Sequence, residues 1–148
     1  MKSGHNFQAS GVIAATLLMF NEDFSIDWKN SSKHLKHVAA TAGLASITVN
    51  GHASEIHACS FEDQQQILAT SLVDVGDKIP LVNGIYADGT QAAVDLARMA
   101  EREGASALLV FPPNSMFMGG AIRPEMAIQH FSMIADATDL PIILFQYP

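Results

Sequence analysis

The chain has 148 residues, 49% of them hydrophobic and 16% charged, with a formal net charge of −7. That length supports one domain with its own core, and the composition excludes a disordered polymer. Only eight Lys and Arg oppose 15 Asp and Glu, so there is no basic footprint for nucleic acid or an anionic membrane surface. Cys59 is the single cysteine, which rules out an intrachain disulfide. With no sign of secretion, a reducing cytoplasm is the expected compartment.

The first element is an apolar run at 12–18, broken by Thr16. The wider stretch 11–20 superficially resembles a signal-peptide core. It lacks a small-residue cleavage site, runs straight into Asn21-Glu22-Asp23 and is too short to cross a bilayer. A buried strand is the expectation. Residues 27–42 have helical spacing, with Trp28, Leu35, Val38, Ala39 and Ala42 on one stripe and Gly43 placed to end the helix. A second strand is expected at 44–49. Ser60-Phe61-Glu62-Asp63 is a variant capping box. It opens a helix carrying Phe61, Ile67, Leu68 and Leu72 that closes at Gly76.

A third strand is expected at 79–82, then a helix at 90–103 with Ala93, Leu96, Ala97 and Ala100 inward and Gly104 beyond its end. A fourth strand is expected at 105–111. Residues 112–122 contain Pro-Pro and Gly-Gly and read as a long loop. Pro124 begins a helix running to about residue 137, with Ala127, Phe131 and Ile134 on one face. The fifth strand is 141–145.

The order is β-α-β-α-β-α-β-α-β, at roughly 30 residues per repeat. Continuous apolar strands imply burial on both faces and hence a parallel sheet with right-handed crossovers. One domain over 1–148 is expected, since no linker divides the chain. Two architectures fit: a complete doubly wound sheet, or part of a (β/α)8 barrel, which needs about 250 residues in full. In both, chemistry sits at the C-terminal strand ends, at 18–21, 50–57, 83–89, 111–122 and 145–148.

Those ends carry a resemblance. Gly11-Val12-Ile13-Ala14-Ala15, then Phe20 and Ile26-Asp27, is similar to the opening of the dihydrodipicolinate synthase / N-acetylneuraminate lyase family. Gly51-His52-Ala53-Ser54-Glu55 falls where that family carries Gly-Thr-Thr-Gly-Glu, and Ser60-Phe61-Glu62-Asp63 matches the segment after it. Ile79-Pro80-Leu81-Val82-Asn83-Gly84 with Thr90, Gly104-Ala105-Ser106-Ala107 with Pro112, and Pro141-Ile142-Ile143-Leu144-Phe145-Gln146-Tyr147-Pro148 match further blocks in order. The resemblance spans 11–148.

It implies a partial TIM barrel of about five β/α units and the imine chemistry of class I aldolases and related lyases. In that chemistry a sixth-strand lysine forms a Schiff base with pyruvate or another 2-oxo acid, and the cationic imine serves as electron sink. A fifth-strand tyrosine moves protons, and the Gly-Thr-Thr-Gly-Glu loop holds the substrate carboxylate. No separate cofactor and no metal is implied.

The departures fall on this chemistry. The threonine positions are His52 and Ala53, the second glycine is Ser54, and the tyrosine position is Phe145, which cannot transfer a proton. Pro112-Pro113-Asn114-Ser115 lacks a second family tyrosine, and the sixth strand is absent from the 148 residues. Lys29, Lys33 and Lys36 fall on a helix surface, and Lys78 precedes a strand. None of these, nor Lys2, is placed to form the imine.

Each candidate has two readings. His52 either binds a carboxylate or exchanges protons near neutral pH, or is a loop histidine without a role. Ser54 either replaces a lost hydroxyl donor or is a turn residue. Glu55 is expected to hold the loop through local hydrogen bonds. Tyr147, two residues past Phe145 and hence on its face of the strand, either substitutes for the missing tyrosine or packs at the strand end. His130 is expected to be a satisfied, partly buried histidine, and His34 and His37 to be solvated. His52 and His57 lack the carboxylate–histidine spacing of a metal site. Met116 and Met118 either line an apolar pocket or fill space.

The expected function is that of a divergent lyase or aldolase on a 2-oxo acid, not dihydrodipicolinate synthesis itself, with the 148-residue chain alone inactive. The expected association is a homo-oligomer or a pairing with a complementary half, because five strands leave open sheet edges. A degenerate, non-catalytic chain is the alternative. A nucleotide-binding module is disfavoured, since neither GxGxxG nor GxxxxGK[ST] follows a strand.

Overall fold

In the computed structural model, residues 7–117, 120 and 122–146 are described. Five strands, β1 (Val12–Ala15), β2 (Leu44–Val49), β3 (Leu81–Ile85), β4 (Ala107–Val110) and β5 (Ile142–Leu144), form one sheet. All four pairings are parallel, and the spatial order β1-β2-β3-β4-β5 is the chain order. A doubly wound sheet reverses direction at a switch point, and no reversal occurs here. The architecture is an open, five-stranded part of a TIM barrel.

Helices α1 (Trp28–Ala39), α2 (Phe61–Val75), α3 (Thr90–Glu103) and α5 (Pro124–Ala135) form the crossovers. Asp27 caps α1 by accepting from the N–H of Asn30 at 3.0 Å. Ser60 and Asp63 form the expected capping box at the start of α2. Pro124 occupies the first turn of α5. Gly104, at φ 106, ends α3 in the left-handed region where glycine carries no Cβ penalty.

The boundaries differ from the sequence expectation for identifiable reasons. Helix α1 stops at Ala39, before Gly43, because the chain turns at 40–43 to enter β2, with the Thr41 N–H donating to Val38 at 2.9 Å. Strand β3 begins later and runs further than expected. Ile79 still donates to Val75 at the end of α2, while Asn83 and Gly84, poor strand formers in isolation, lie inside the ladder. Residues 112–122 are not wholly loop. A short helix, α4 (Asn114–Phe117), forms there, with the Asn114 N–H donating to Asp88 Oδ1 at 2.9 Å.

Strand side chains alternate between two faces. Ile47, Val49, Leu81, Ile85, Leu108 and Val110 pack into the helix-side core with Leu68, Ala97 and Ile134. The alternate positions, Thr48, Val82, Gly84 and Ala107 among them, face the concave side. No helix of the described residues is long and apolar enough to cross a membrane.

Candidate active site

The concave face ends in a row of rings. Gly84 pairs with Leu109, and Leu109 with Ile143. Tyr86, Phe111 and Phe145 therefore stand at one level, two residues beyond a matched set. Phe111 and Phe145 pack with ring centroids 4.9 Å apart. His52, from the loop after β2, packs on Phe111 at 4.0 Å and edge-on to Tyr86 at 5.1 Å. The row runs Tyr86, His52, Phe111, Phe145 across the C-terminal mouth of β2 to β5.

The 51–55 loop is built from single 3-10 turns, His52–Ser54 and Ile56–Ala58, joined at Glu55. Glu55 has φ 53 and is exposed. It holds the loop through its backbone, donating to His52 and accepting from Ala58 at 3.0 and 2.8 Å. Ser54 is only 3% exposed, and its hydroxyl donates to the Thr16 carbonyl at 2.8 Å, tying the loop to β1. Its hydrogen is thus committed within the protein, leaving the oxygen lone pairs. Ala53 is exposed and Gly51 buried. A Cβ on Gly51 would meet Thr48 and Phe111 at ordinary contact distances of 3.5 and 3.9 Å, so packing alone does not require glycine there.

Burial, and secondarily the charge of His57, holds the His52 imidazole below its ordinary range. Burial, then the Asp88 carboxylate, pushes the Tyr86 phenol up, and its hydroxyl lies 3.4 Å from Asp88 Oδ1. His52 is the group in the row whose proton exchanges most readily near neutral pH. Among the described residues, no group of three or more His, Cys, Asp or Glu side chains is placed to hold a metal ion.

Beneath the loop lies a buried polar pair that sequence reasoning missed. Asn50, at φ 55, donates from Nδ2 to Asn83 Oδ1 at 2.8 Å and to the Gln64 carbonyl at 2.9 Å. Asn83 in turn donates to the Gly84 carbonyl. This arrangement fixes the end of β2 against α2 and β3, and so fixes the root of the 51–55 loop. Tyr86 was missed as well, although it falls within a strand end marked as chemical ground. Its signal was position rather than motif.

The remaining candidates are distributed as follows. His130 is buried and hydrogen-bonded through Nδ1 to Thr90 Oγ1 at 2.9 Å, as expected of a satisfied histidine. His34 is not simply solvated: it is half-buried, and Nε2 accepts from the Leu17 N–H at 3.3 Å. His37 and His57 are exposed. Met116 lines an apolar cavity with Phe145. Tyr147 and Met118 lie outside the described residues.

The Dihydrodipicolinate synthetase family model matches residues 8–148. The chain belongs to this family. It is 31% identical over 147 residues to the 4-hydroxy-tetrahydrodipicolinate synthase of Staphylococcus saprophyticus, covering 98% of this chain and 46% of that protein. It is 32% identical over 139 residues to the enzyme of that name from Chlorobium limicola, covering 94% and 45%. Among solved structures, dihydrodipicolinate synthase from Agrobacterium tumefaciens is 27% identical with a TM-score of 0.79, over 93% of this chain and 45% of that one. A family protein from an E. coli K12 prophage, solved in complex with pyruvate, shares the fold at 21% identity and a TM-score of 0.82, over 95% and 45%. The chain spans about half the length of the relatives it matches.

Proposed function

We propose that this chain supplies the carboxylate-recognising half of a (β/α)8 lyase or aldolase acting on pyruvate or another 2-oxo acid, and that the imine-forming lysine lies outside residues 1–148. The observation that carries the reading is the 51–55 loop, seated at the mouth of β2 between the His52 ring stack and the Thr16 anchor. The Ser54 and Glu55 N–H groups donate within the loop, to the Gly51 and His52 carbonyls, and the Ser54 hydroxyl donates to Thr16, so the His52 ring and the other backbone N–H groups of the loop are the polar partners for a carboxylate. The pyruvate bound in the structure of the E. coli relative supports this choice of ligand class.

The described lysines stand elsewhere. Lys29, Lys33 and Lys36 are on α1, and Lys78 precedes β3 at the end of the sheet away from the ring row. Phe145 has no proton to give, and Ala53 has no hydroxyl. These substitutions favour an aldol cleavage or a hydration–dehydration over dihydrodipicolinate synthesis itself. His52 then handles protons where the fifth-strand phenol is missing, in a cytoplasmic enzyme.

Borohydride reduction of this chain with pyruvate, followed by intact-mass measurement, tests the lysine assignment. The expected outcome is no adduct. A reduced pyruvyl adduct on any lysine of residues 1–148 would falsify it.

A second reading is a non-catalytic chain that pairs with another. Val12 on β1 and Leu144 on β5 are each 59% exposed on strands with an unpaired edge, a surface that invites strand addition. Light scattering decides here, since a stable, monodisperse monomer of this chain counts against pairing.

A further inference from the structure

Two Asn-Gly dipeptides meet at the root of the 51–55 loop: Asn50-Gly51 after β2 and Asn83-Gly84 inside β3. Asn50 has φ 55, a conformation that asparagine tolerates and most residues avoid. Its side chain is fully buried. Nδ2 donates to Asn83 Oδ1 at 2.8 Å and to the Gln64 carbonyl on α2 at 2.9 Å. Oδ1 is buried with no partner among the described residues. An unsatisfied buried acceptor lowers stability, so this amide is a poor choice for packing alone. Its two donated bonds fix a turn, and that turn aims a peptide.

The peptide is 50–51. A Cβ on Gly84 would meet the Asn50 carbonyl oxygen at 2.0 Å and the Gly51 nitrogen at 3.0 Å. The peptide therefore lies against bare backbone of β3, its carbonyl oxygen nearest. It is a trans peptide, in which the N–H points opposite to the C=O. The Gly51 N–H thus faces away from β3. Gly51 is buried, and its N–H donates to no group among the described residues. Buried N–H groups without a partner are rare, and this one sits in the loop read above as the carboxylate seat.

We propose that Asn50 is a positioning residue: held by Asn83 and α2, it aims the Gly51 N–H at the carboxylate of the 2-oxo acid. The proposal rests on the 2-oxo acid reading above and adds the residue that sets the geometry of the seat. Asn50 itself touches no ligand and acts through Gly51. A hydrogen bond from a fixed N–H to a carboxylate is charge-assisted, so its aim matters more than that of a neutral pair. Other residues at position 50 lose one half of the device. Glycine takes up the left-handed turn but does not hold it. Ionised aspartate has the shape but no donor, and would face two acceptors. Gly84 completes the arrangement, because only bare backbone lets the 50–51 peptide come so close.

The test is NMR titration of the full chain with pyruvate, and with methyl pyruvate as the ligand lacking a carboxylate. The Gly51 amide is expected to move with pyruvate and not with the ester. Asn50→Gly and Asn83→Ser, which shortens the partner, should each bind pyruvate at least about tenfold more weakly, the loss of one well-aimed hydrogen bond to a charged group. The double variant should bind no more weakly than the weaker single one, because both changes cut the same tie. Urea unfolding of the same samples separates aim from stability. Leu108→Ala, in the helix-side core of β4, should lower the urea midpoint at least as far and keep the wild-type affinity for pyruvate.

If pyruvate moves the wild-type Gly51 amide but a folded Asn50→Gly or Asn83→Ser chain binds it as tightly as wild type, the positioning role is overturned and the 2-oxo acid reading survives. If pyruvate leaves the wild-type Gly51 amide unmoved, the reading of the loop fails and takes the proposal with it. An affinity loss in Leu108→Ala equal to that in Asn50→Gly would overturn the proposal as well, since general loosening would then account for both. Should one of the two single variants fail to fold, the other carries the comparison.

Discussion

The middle of the sheet and its two margins obey different rules. In β3 every residue is buried, and β2 is buried from Ser46 to Val49. In β1 and β5 no residue is fully buried, and Val12 and Leu144 face water. The same parallel ladder thus holds a dry, close-packed centre between wet flanks. The difference comes from neighbours. A central strand has a partner on each side and helices behind it, while a margin lacks one of these. The 51–55 loop is rooted in the dry part, and the apolar cavity opens on the wet one.

The largest expected effect is at the centre. A Cβ on Gly84 would fall 2.0 Å from the Asn50 carbonyl oxygen, a backbone atom that cannot swing away. Gly84→Ala must therefore push β3 from the end of β2 and break the Asn50–Asn83 pair that seals the gap. The expected cost is at least about 4 kcal/mol, enough to leave the chain largely unfolded by circular dichroism at 25 °C. Wild-type stability for this variant would dissolve the contrast between centre and margin. Next comes Leu108, fully buried in the helix-side core of β4. Leu108→Ala should lower stability in urea by about 2–5 kcal/mol, the transfer term plus the cavity left behind.

The apolar runs and stripes were the part most legible in the sequence. Leu44–Val49 and Thr90–Glu103 have the observed bounds, because apolar runs and stripes map directly onto burial. The Ser60 cap was readable because its partner lies three residues away. What escaped was polar and nonlocal. Asn83 and Gly84 look like loop until Asn50, 33 residues earlier than Asn83, supplies a hydrogen bond and demands the close approach. Helix α4 depends on Asp88, 26 residues before Asn114. At the mouth, a motif position pointed to His52, but no spacing rule joins it to Tyr86 or Phe111. Only the matched register of β3, β4 and β5 does so.

A pH effect links the two regions. His130, on the helix that backs the margin, is buried and bonded to Thr90 at the start of α3 in the centre. Burial holds its folded pKa below the ordinary 6.5. As pH falls through that value the unfolded chain takes up a proton first, so the stability present above it is progressively lost toward and below the folded pKa. The urea midpoint should drop between about pH 7.5 and about pH 5.5. His130→Gln can keep the contact with Thr90 without titrating and should shrink that drop. An unchanged pH dependence in this variant would remove His130 from the account.

The smallest effect is expected at the margin, and it carries the sharpest contrast with Leu108. Leu144 lies two rungs along the same pairing, since Leu108 partners Ile142 and Val110 partners Leu144, and both residues are leucines in adjacent strands. One is fully buried and the other is 59% exposed. If burial rather than residue type sets the energy, Leu144→Ser should change monomer stability by less than about 0.5 kcal/mol. The same change should weaken self-association, because it removes apolar surface beside an unpaired strand. Sedimentation velocity across a concentration series reads the second effect, and urea unfolding at low protein concentration reads the first. A loss near that of Leu108→Ala would mean that something in solution already covers the edge of β5. The margin would then be an interface, no longer a free flank of the sheet.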